Sequence, residues 1–385
     1  MFTTLSRWRC CVALGLWFSV SPLAQAGQVA ETELVQQFEQ QFRTKLQQAK
    51  VPGGAYAIVQ GDRIVKLGYY GVRVVGERAT VNADTVFRLA SVSKTFAGVS
   101  LVQAQYASQL QLQQPLSSYV PELVLRTPEL TKSLTLEQVV SHSSGFWAHA
   151  FEDLIEADQT PAQILPRLRE LSPVCPLGRC YSYQNVFFGL LGNALERATG
   201  LPYDQLLHQR LFKPLGMQSA SVGLAPLLAS RNKAMPHQRG GKGWRLVKPK
   251  ANFYRVSSAA GVNASARDLA IYLQAMLGGR PEVLPHQLLQ QLQQPLTRVQ
   301  GKPRGEVWQQ FKHTSLWYGR GWRMVQYEQQ RVYYHGGVVD GYRPYIGYAP
   351  QTGYGLVLLT NAEADIIGPL ANWFWLQVLP KSAEV

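Results

Sequence analysis

Segments with the composition of β-strands lie near the two ends of this 385-residue chain and are scarce between them. Residues 55–59 and 64–70 flank Gly61-Asp62, a pattern typical of a hairpin. Four more strand-like runs follow late in the chain, at residues 321–327, 331–334, 342–348 and 355–360. The chain therefore predicts an α/β (α+β) fold, in which both termini build one antiparallel sheet with flanking helices and the middle forms an inserted all-helical lobe.

Apolar residues at helical spacing predict the helices around this sheet. Leu34, Phe38, Phe42 and Leu46 predict an amphipathic helix over residues 31–48, and further helices are expected over residues 91–107, 185–199, 266–277 and 366–379. We expect residues 27–385 to form a single domain, with a sheet lobe made of 27–96 and 301–385 and a helical lobe made of 97–300. The cleft between two such lobes is the expected site.

The first 26 residues have the pattern of a secretory signal peptide. Arg7 and Arg9 precede an apolar run over residues 11–20, and Ala24-Gln25-Ala26 gives the small-x-small pattern of a cleavage site. The apolar run is much shorter than the ~20 residues that span a bilayer. We expect a periplasmic protein that begins near Gly27 and has no transmembrane span after cleavage, the alternative being an uncleaved N-terminal anchor.

The formal net charge of +14 becomes +12 once the two arginines of the signal peptide are removed. A basic balance favours contact with anionic surfaces, so cell-wall contact is a possible interaction. The sequence has no basic cluster interleaved with aromatic residues, no Walker-type glycine loop and no zinc-finger spacing, so nucleic acid is not an expected partner. The histidines show no close ligand spacing, and neither a metal nor another cofactor is expected.

Cys175 and Cys180 are the two cysteines that remain after residue 26. Four residues that include the turn formers Pro176 and Gly178 separate them. An oxidising compartment favours a disulfide between them. The alternative is a pair of free, buried thiols.

Ser91 and Lys94 form a Ser-x-x-Lys motif at the start of a predicted helix. Residues three apart on a helix share one face, with Cβ atoms about 5–6 Å apart. The positive end of the helix dipole favours an alkoxide, and a buried lysine is a base because burial disfavours its charged form. The motif alone also arises by chance on solvated helix faces, so its context decides its meaning.

Six segments of the chain occur in the order of landmarks of the serine β-lactamase and penicillin-binding protein superfamily and resemble them. They are residues 87–96 around Ser91, residues 139–145, the Tyr-x-Asn pair Tyr183 and Asn185, residues 213–217, residues 259–268, and His335-Gly336-Gly337. The resemblance covers nearly the whole chain after residue 26. It is to class C β-lactamases and to the D-amino-acid peptidases and esterases near them.

The resemblance implies a role for each matched residue. Ser91 would be acylated, and Lys94 with Tyr183 would act as one coupled base, because a phenol near an ammonium has its anion favoured. Asn185 would bind the substrate amide or hold Lys94. The backbone N–H groups of Ser91 and Val338 would form the oxyanion hole, in which each donor is typically worth ~2.7–4 kcal/mol.

The third motif departs from the class C pattern. His335 and Gly336 stand where Lys and Thr are expected, and a histidine is mostly neutral at pH 7. The fixed charge for a substrate carboxylate is therefore missing from the motif. We expect His335, Gly336 and Gly337 to contact substrate. Arg343 is a candidate replacement for the missing charge, since its planar guanidinium can bind a carboxylate with two hydrogen bonds; the alternative is a solvated edge arginine.

The sequence thus predicts a periplasmic serine hydrolase that forms an acyl-enzyme on Ser91 and hydrolyses a β-lactam or a related amide or ester. A D-alanyl-D-alanine-type peptidase and a carboxylesterase are the alternatives within the enzyme class. The expected partner is accordingly a small-molecule β-lactam, a D-amino-acid peptide or an ester. A non-catalytic, envelope-binding relative is the alternative from another class.

Overall fold

The computed structural model describes residues 1, 22–241, 243–301, 314–327 and 329–380. Residues 2–21, most of the predicted signal peptide, lie outside the described residues. That segment and the periplasmic location therefore stay predictions. Within the described residues, no helix combines the length and the apolar character needed to cross a membrane.

The strands of the described residues follow in chain order. They are β1 Gly53–Gln60, β2 Arg63–Gly71, β3 Phe87–Arg88, β4 Ser221–Val222, β5 His237–Gly240, β6 Gly243–Leu246, β7 Val262–Ala264, β8 Thr297–Val299, β9 Ser315–Tyr318, β10 Arg323–Tyr327, β11 Gln330–Gly336, β12 Arg343–Ala349 and β13 Tyr354–Thr360.

The α-helices are α1 Pro22–Gln48, α2 Ser93–Tyr106, α3 Pro128–Ser133, α4 Leu136–Val140, α5 Glu152–Glu156, α6 Pro161–Ile164, α7 Asn185–Thr199, α8 Tyr203–Leu207, α9 Lys213–Leu215, α10 Leu224–Ala229, α11 Ser257–Ala260, α12 Ala266–Met276, α13 His286–Leu292 and α14 Ile367–Val378. Short 3₁₀ turns occur at Ala90–Val92, Leu116–Ser118, Leu165–Glu170 and Asn252–Arg255, and a π-helical turn at His208–Phe212.

Eight strands form one antiparallel sheet in the order β2-β1-β13-β12-β11-β10-β9-β8. The N-terminal hairpin pairs directly with the last strand, with Gly54 opposite Thr360. This confirms the expectation that both ends of the chain build one sheet. The sheet is two strands wider than predicted, because β8 and β9 at its edge span only three and four residues, too few to show a clear alternation.

Helices cover both faces of the sheet. Ala57 of β1 and Val357 of β13 join the core that contains α2 and α12, whereas Tyr56 and Leu358 join the core that contains α1 and α14. Successive side chains of a strand point to opposite faces. Because both faces are buried here, the central strands are continuous apolar runs rather than alternating ones.

The inserted lobe differs from the prediction in two respects. It is not wholly helical: β3, β7 and β4 form a small sheet, and β5 pairs with β6. These strands have two to four residues and are held by tertiary neighbours, so their sequences carry little signal. In addition, α12 packs on β1 and β13 although it lies within the span predicted for the helical lobe. The sheet lobe therefore takes one of its covering helices from the middle of the chain.

Helix α2 carries Lys94 of the predicted Ser-x-x-Lys motif, Ser91 lies in the 3₁₀ turn before it, and α2 is buried along most of its length. The helix predicted over residues 91–107 begins as the 3₁₀ turn at Ala90–Val92 and continues as α2. At Gly98 a Cβ would lie only 2.1 Å from the carbonyl oxygen of Arg320. The absence of a side chain there lets α2 approach the turn between β9 and β10, which fixes the motif against the sheet.

The N-terminal helix α1 contributes fully buried side chains to the core. Shortening one of these side chains therefore tests whether α1 belongs to the folded unit. Phe42 is 0% exposed and lies 4.8 Å from Tyr56 between ring centroids. We expect Phe42→Ala to lower the free energy of unfolding by about 3–5 kcal/mol, measured by denaturant titration. The exposed Thr44→Ala on the same helix should stay within about 0.5 kcal/mol of wild type. Equal stabilities of the two variants would contradict this role of α1.

Candidate active site

Ser91 opens onto a cleft of about 910 Å³ between the two lobes. Tyr183 and Asn185 line it from the helical lobe. Gly336, Gly337, Val338 and Arg343 line it from the sheet. A cleft of this size suits a small organic ligand. The structure thus brings the predicted site residues to one place, with the exception of the His335 side chain.

The amino group of Lys94 lies beneath Ser91 and is completely buried. Lys94 Nζ is 3.3 Å from Ser91 Oγ, and it donates to Asn185 Oδ1 at 2.5 Å and to the carbonyl oxygen of Ala259 at 3.0 Å. The two carbonyl acceptors occupy two N–H groups, whichever form the lysine takes. The third interaction can therefore run either way: an ammonium donates to Ser91, and a neutral amine accepts from the serine hydroxyl.

Burial decides between these two forms. It lowers the pKa of Lys94 well below the usual value; the carboxylate of Glu152 raises the pKa, and the positive charge of Arg323 lowers it further. A charge that is taken out of water without full compensation is costly, so burial shifts Lys94 towards its neutral amine. In that form, Lys94 is placed to accept the Ser91 proton.

Tyr183 approaches the same oxygen from the cleft side. Its hydroxyl donates to Ser91 Oγ at 2.8 Å. Burial raises the pKa of Tyr183, and the positive charge of Arg323 and the hydrogen bond to Ser91 only partly oppose this effect. We expected a phenol whose anion is favoured by the nearby lysine; instead, Tyr183 is a neutral hydrogen-bond donor, because desolvation outweighs the nearby charges.

The nucleophile turn and the glycine motif are in close contact. Ala90 has φ +45°, in the left-handed region that residues with a Cβ rarely adopt. At Gly337 a Cβ would lie 2.7 Å from the carbonyl oxygen of Leu89 and 2.9 Å from the Cβ of Ala90. Glycine is therefore required for this approach, which brings the next residue, Val338, to the cleft beside Ser91. The role of the Ser91 and Val338 amides as an oxyanion hole stays a prediction.

An ion pair holds the loop that carries Val338. Arg88 Nη1 donates to Asp340 Oδ2 at 3.1 Å, and the Arg88 side chain is 0% exposed. Its guanidinium carbon also lies 3.9 Å above the Tyr254 ring. Arg88 sits three residues before the nucleophile and Asp340 two residues after Val338. The pair therefore joins the segment of Ser91 to the segment of Val338, both of which line the cleft.

His335 does not present its ring to the cleft. The residue is 1% exposed, and its Nε2 lies 3.1 Å from the hydroxyl of Tyr318. Burial lowers the pKa of His335 well below the usual value, and the charges of Arg323 and Lys94 act in the same direction. An uncharged, buried imidazole cannot supply the positive charge for a substrate carboxylate.

Two arginines line the cleft instead. Arg343, predicted from the sequence, begins β12 in the interior of the sheet rather than at an edge, and its buried Nε has no hydrogen-bond partner among the described residues. Arg323 on β10 was not predicted. Its guanidinium carbon lies 5.2 Å from the ring centroid of Tyr183 and 5.8 Å from that of Tyr318.

Arg323 stays charged in this setting. Burial alone would lower its pKa, yet the surrounding tyrosines, Tyr181 first, raise it above the usual value of arginine. No carboxylate of the described residues lies within ion-pair distance of it. Its position in a regular strand gives no sequence signal that sets it apart from a solvated arginine.

Glu152, also missed, is the first residue of α5 and lines the cleft. Its Oε1 accepts from Asn185 Nδ2 at 2.7 Å, while Asn185 Oδ1 faces Lys94. The segment before α5 is irregular, with φ +61° at His149 and φ +60° at Phe151. Such a segment has no periodicity from which the direction of Glu152 could be inferred.

The predicted disulfide is present, with 6.5 Å between the Cα atoms of Cys175 and Cys180. The carbonyl oxygen of Gly145 accepts from the N–H groups of Val174 and Cys175. Gly145 has φ +77°, and a Cβ there would lie 2.5 Å from the carbonyl oxygen of Cys175. The disulfide loop is therefore hydrogen-bonded to, and in close contact with, the segment of residues 139–145.

The same landmark holds the segment that carries Tyr183. The carbonyl oxygen of His142 accepts from the N–H of Ser182 at 2.7 Å, and its Nδ1 accepts from the N–H of Gln184 at 3.3 Å. Burial lowers the pKa of His142 well below the usual value, which keeps the ring neutral and Nδ1 free to accept. His142 thus positions Tyr183 from both sides.

Comparison with known proteins agrees with this geometry. The family model described as Beta-lactamase matches residues 36–374, so the chain belongs to the Beta-lactamase family, whose members are generally serine hydrolases, although some are non-catalytic. The resemblance stated from the sequence is confirmed. Within the described residues, no group of three or more His, Cys, Asp or Glu side chains converges as metal ligands would.

Individual relatives are distant. Penicillin-binding protein 4 of Amycolatopsis lactamdurans is 24% identical over 365 residues, which cover 90% of this chain and 93% of the relative. Protein flp of Staphylococcus aureus is 23% identical over 351 residues, or 89% of this chain; the chain spans 66% of that relative's length. The octameric penicillin-binding protein homologue from Pyrococcus abyssi has a similar fold, with a TM-score of 0.78, 23% identity and coverage of 88% of this chain and 76% of that one.

The Cys175–Cys180 disulfide should stabilise the cleft wall, since its loop is hydrogen-bonded to residues 143–145. For a loop this short, chain entropy predicts that the double variant Cys175→Ser/Cys180→Ser loses about 2 kcal/mol of unfolding free energy. Denaturant titration of the variant beside oxidised wild type measures this loss. Wild type treated with reductant should match the variant. Equal midpoints for variant and oxidised wild type would refute the stabilising role.

Proposed function

We propose that the protein is a serine hydrolase that forms an acyl-enzyme on Ser91 and then hydrolyses it. The observation that carries the proposal is the buried Lys94, whose pKa is lowered by desolvation, in contact with Ser91 Oγ, with the Tyr183 hydroxyl hydrogen-bonded to the same oxygen. A protein that only bound a ligand would have no use for a desolvated lysine beneath a cleft serine. This argues against the non-catalytic alternative.

The geometry supports a sequence of proton transfers. Ser91 Oγ attacks the acyl carbonyl while its proton passes to the neutral amine of Lys94. The N–H groups of Ser91 and Val338 bind the oxyanion that develops. Tyr183 then donates its phenolic proton to the leaving group, and the resulting phenolate takes a proton from the Lys94 ammonium; both side chains lie at Ser91 Oγ, which as the ester oxygen carries no proton itself. Water next attacks the acyl carbonyl and gives one proton to the neutral Lys94. The C–O bond to Ser91 then breaks, the acid is released, and Ser91 Oγ takes that proton back from Lys94.

The charge in the cleft supports a substrate class. Arg323 is a fixed cation beside the reacting groups, and a carboxylate bound there would form charge-assisted hydrogen bonds. β-Lactams and peptides that end in a D-amino acid both carry a carboxylate next to the scissile amide, whereas simple esters do not. We therefore propose a β-lactam or a D-amino-acid peptide as substrate, ahead of a carboxylesterase substrate. The names of the penicillin-binding relatives point the same way.

We also propose that the protein works in the periplasm after export. The support is the signal-peptide pattern of residues 1–26, together with the disulfide, which persists in oxidising compartments. Cell-wall contact would follow from that location and from the basic charge of the chain.

Covalent labelling tests the nucleophile. We expect intact-protein mass spectrometry of wild type with a penicillin to show an adduct of one penicillin, and Ser91→Ala to show none. A lasting adduct would indicate a peptidase-like penicillin-binding protein, and a transient adduct with accumulating hydrolysed penicillin would indicate a β-lactamase. No adduct with a penicillin, a D-alanyl peptide analogue or an activated ester would refute the proposal.

The proposed substrate class makes Arg323 the residue that binds the carboxylate. Loss of a charge-assisted contact costs about 1.5–3 kcal/mol, so Arg323→Gln should raise the KM for a carboxylate-bearing substrate about 10- to 100-fold. An acyl ester of similar size without a carboxylate is the matched control and should change less than threefold. Arg343→Gln, measured in parallel, tests whether the arginine predicted from the sequence binds the carboxylate instead. Equal effects of Arg323→Gln on both substrates would contradict the assignment.

A further inference from the structure

The hydrogen bonds around Lys94 continue two residues beyond the predicted site residues, to Glu152 and His149. Asn185 accepts from Lys94 through Oδ1 and donates through Nδ2 to Glu152 Oε1, at 2.5 and 2.7 Å respectively. The second oxygen of Glu152, Oε2, lies 2.9 Å from His149 Nδ1. The result is an uninterrupted chain from His149 through Glu152 and Asn185 to Lys94 and Ser91.

The Asn185 amide has two ends that differ in chemistry. Its oxygen accepts and its nitrogen only donates. If the amide were turned over, the nitrogen would face the N–H groups of Lys94 and the oxygen would face the carboxylate of Glu152. Both contacts would then be repulsive. Because an ionised carboxylate accepts hydrogen bonds only, Glu152 permits a single orientation of Asn185, the one in which Lys94 has its acceptor.

Both carboxylate oxygens of Glu152 have a partner, Asn185 for Oε1 and His149 for Oε2, and backbone contacts of the preceding loop fix the position of the residue. Its side chain is 16% exposed. The backbone N–H of His149 donates to the carbonyl oxygen of Tyr183 at 2.8 Å, which fastens the loop before α5 to the catalytic segment. His149 and Phe151 both adopt left-handed backbone conformations next to Glu152. Such conformations persist where the surrounding contacts impose them.

Glu152 is also the negative charge that acts on Lys94. Five titratable or charged groups face Lys94 from the surrounding elements. They are Glu152 at the start of α5, Arg323 on β10, His335 on β11, His142 after α4 and Tyr183 before α7. Both histidines are buried and neutral, and Tyr183 is a neutral phenol. Burial and Arg323 therefore lower the pKa of Lys94, and the carboxylate of Glu152 raises it.

We propose that Glu152 is a positioning residue for acylation: it fixes the orientation of the Asn185 amide that binds Lys94, and its negative charge sets the pH at which Lys94 becomes a base. This inference rests on the proposed function, since it concerns the activation of Ser91. It adds a residue that lies outside every motif of the sequence.

The experiment uses a probe that does not depend on the natural substrate. A fluorophosphonate reacts with an activated serine: Ser91 Oγ displaces fluoride from phosphorus, and the serine proton passes to Lys94. The rate of labelling is measured by intact mass from pH 4 to pH 10 for wild type, Glu152→Gln and Glu152→Ala. Asp153→Asn removes one charge from the next position of α5 and is the matched control.

The two Glu152 variants separate the two effects. Glu152→Gln keeps an acceptor for Asn185 and removes the charge, so the ammonium of Lys94 loses stabilisation and the base form persists to lower pH. The acid limb of the profile should move to lower pH by about 1 unit, with the plateau rate within threefold of wild type. Glu152→Ala frees the amide of Asn185 and should lower the plateau about 100-fold. Asp153→Asn should leave the profile unchanged.

Each outcome bears on a distinct claim. An acid limb in Glu152→Gln that coincides with that of wild type would overturn the charge role, and an unchanged plateau in Glu152→Ala would overturn the positioning role. A merely structural residue would lower the rate in both variants without moving the limb. Melting curves identify a variant that fails to fold; if Glu152→Ala does so, Glu152→Gln still decides the charge role, and Glu152→Met, of similar size but without a carboxylate to accept from Asn185, replaces Glu152→Ala in the test of positioning. Absence of labelling in wild type, together with absence of a penicillin adduct, would instead refute the activation of Ser91 itself.

Discussion

The burial of one amino group is the constraint on which the rest of this structure depends. Lys94 sits at 0% exposure on a helix that is itself buried, and its N–H groups must find acceptors there. The acceptors come from two other places, Asn185 at the start of α7 and the carbonyl oxygen of Ala259 in α11. Helices α2, α7 and α11, which are distant in sequence, therefore pack together around Lys94, below the cleft.

The same burial determines the chemistry. Desolvation pushes the lysine towards its neutral form and holds Tyr183 in its phenol form, so that the serine lies between a base and a proton donor without any side chain having to be an anion. The nearby Arg323 strengthens the first effect and weakens the second. A cation at this place favours the amine and, under the proposed function, offers a site for a substrate carboxylate, which would link activation of Ser91 to recognition of the substrate.

Rigid support comes from residues that take no part in the proposed proton transfers. The landmark around His142 and Gly145 accepts hydrogen bonds from the disulfide loop and from the segment of Tyr183, so one turn carries both. On the opposite wall, the Arg88–Asp340 pair and the close approach of Gly337 to Ala90 hold the loop of Val338 against the nucleophile turn. A site assembled from five or more separate segments needs such cross-links, because small displacements of the reacting groups lower the rate steeply.

The sequence by itself determined the sheet built from both termini and the Cys175–Cys180 pair, and it predicted Ser91 with Lys94 and Tyr183 as its neighbours. Apolar runs and turn formers are local patterns, whereas Ser91, Lys94 and Tyr183 were identified through the order of the family landmarks along the chain. Only the tertiary structure decided that Arg323 lines the cleft beside Arg343, that His335 is turned into the core, and that Glu152 reaches Asn185. Strand and loop residues of this kind acquire their role from the partner they face, and the direction of a side chain is fixed by packing between segments far apart in sequence.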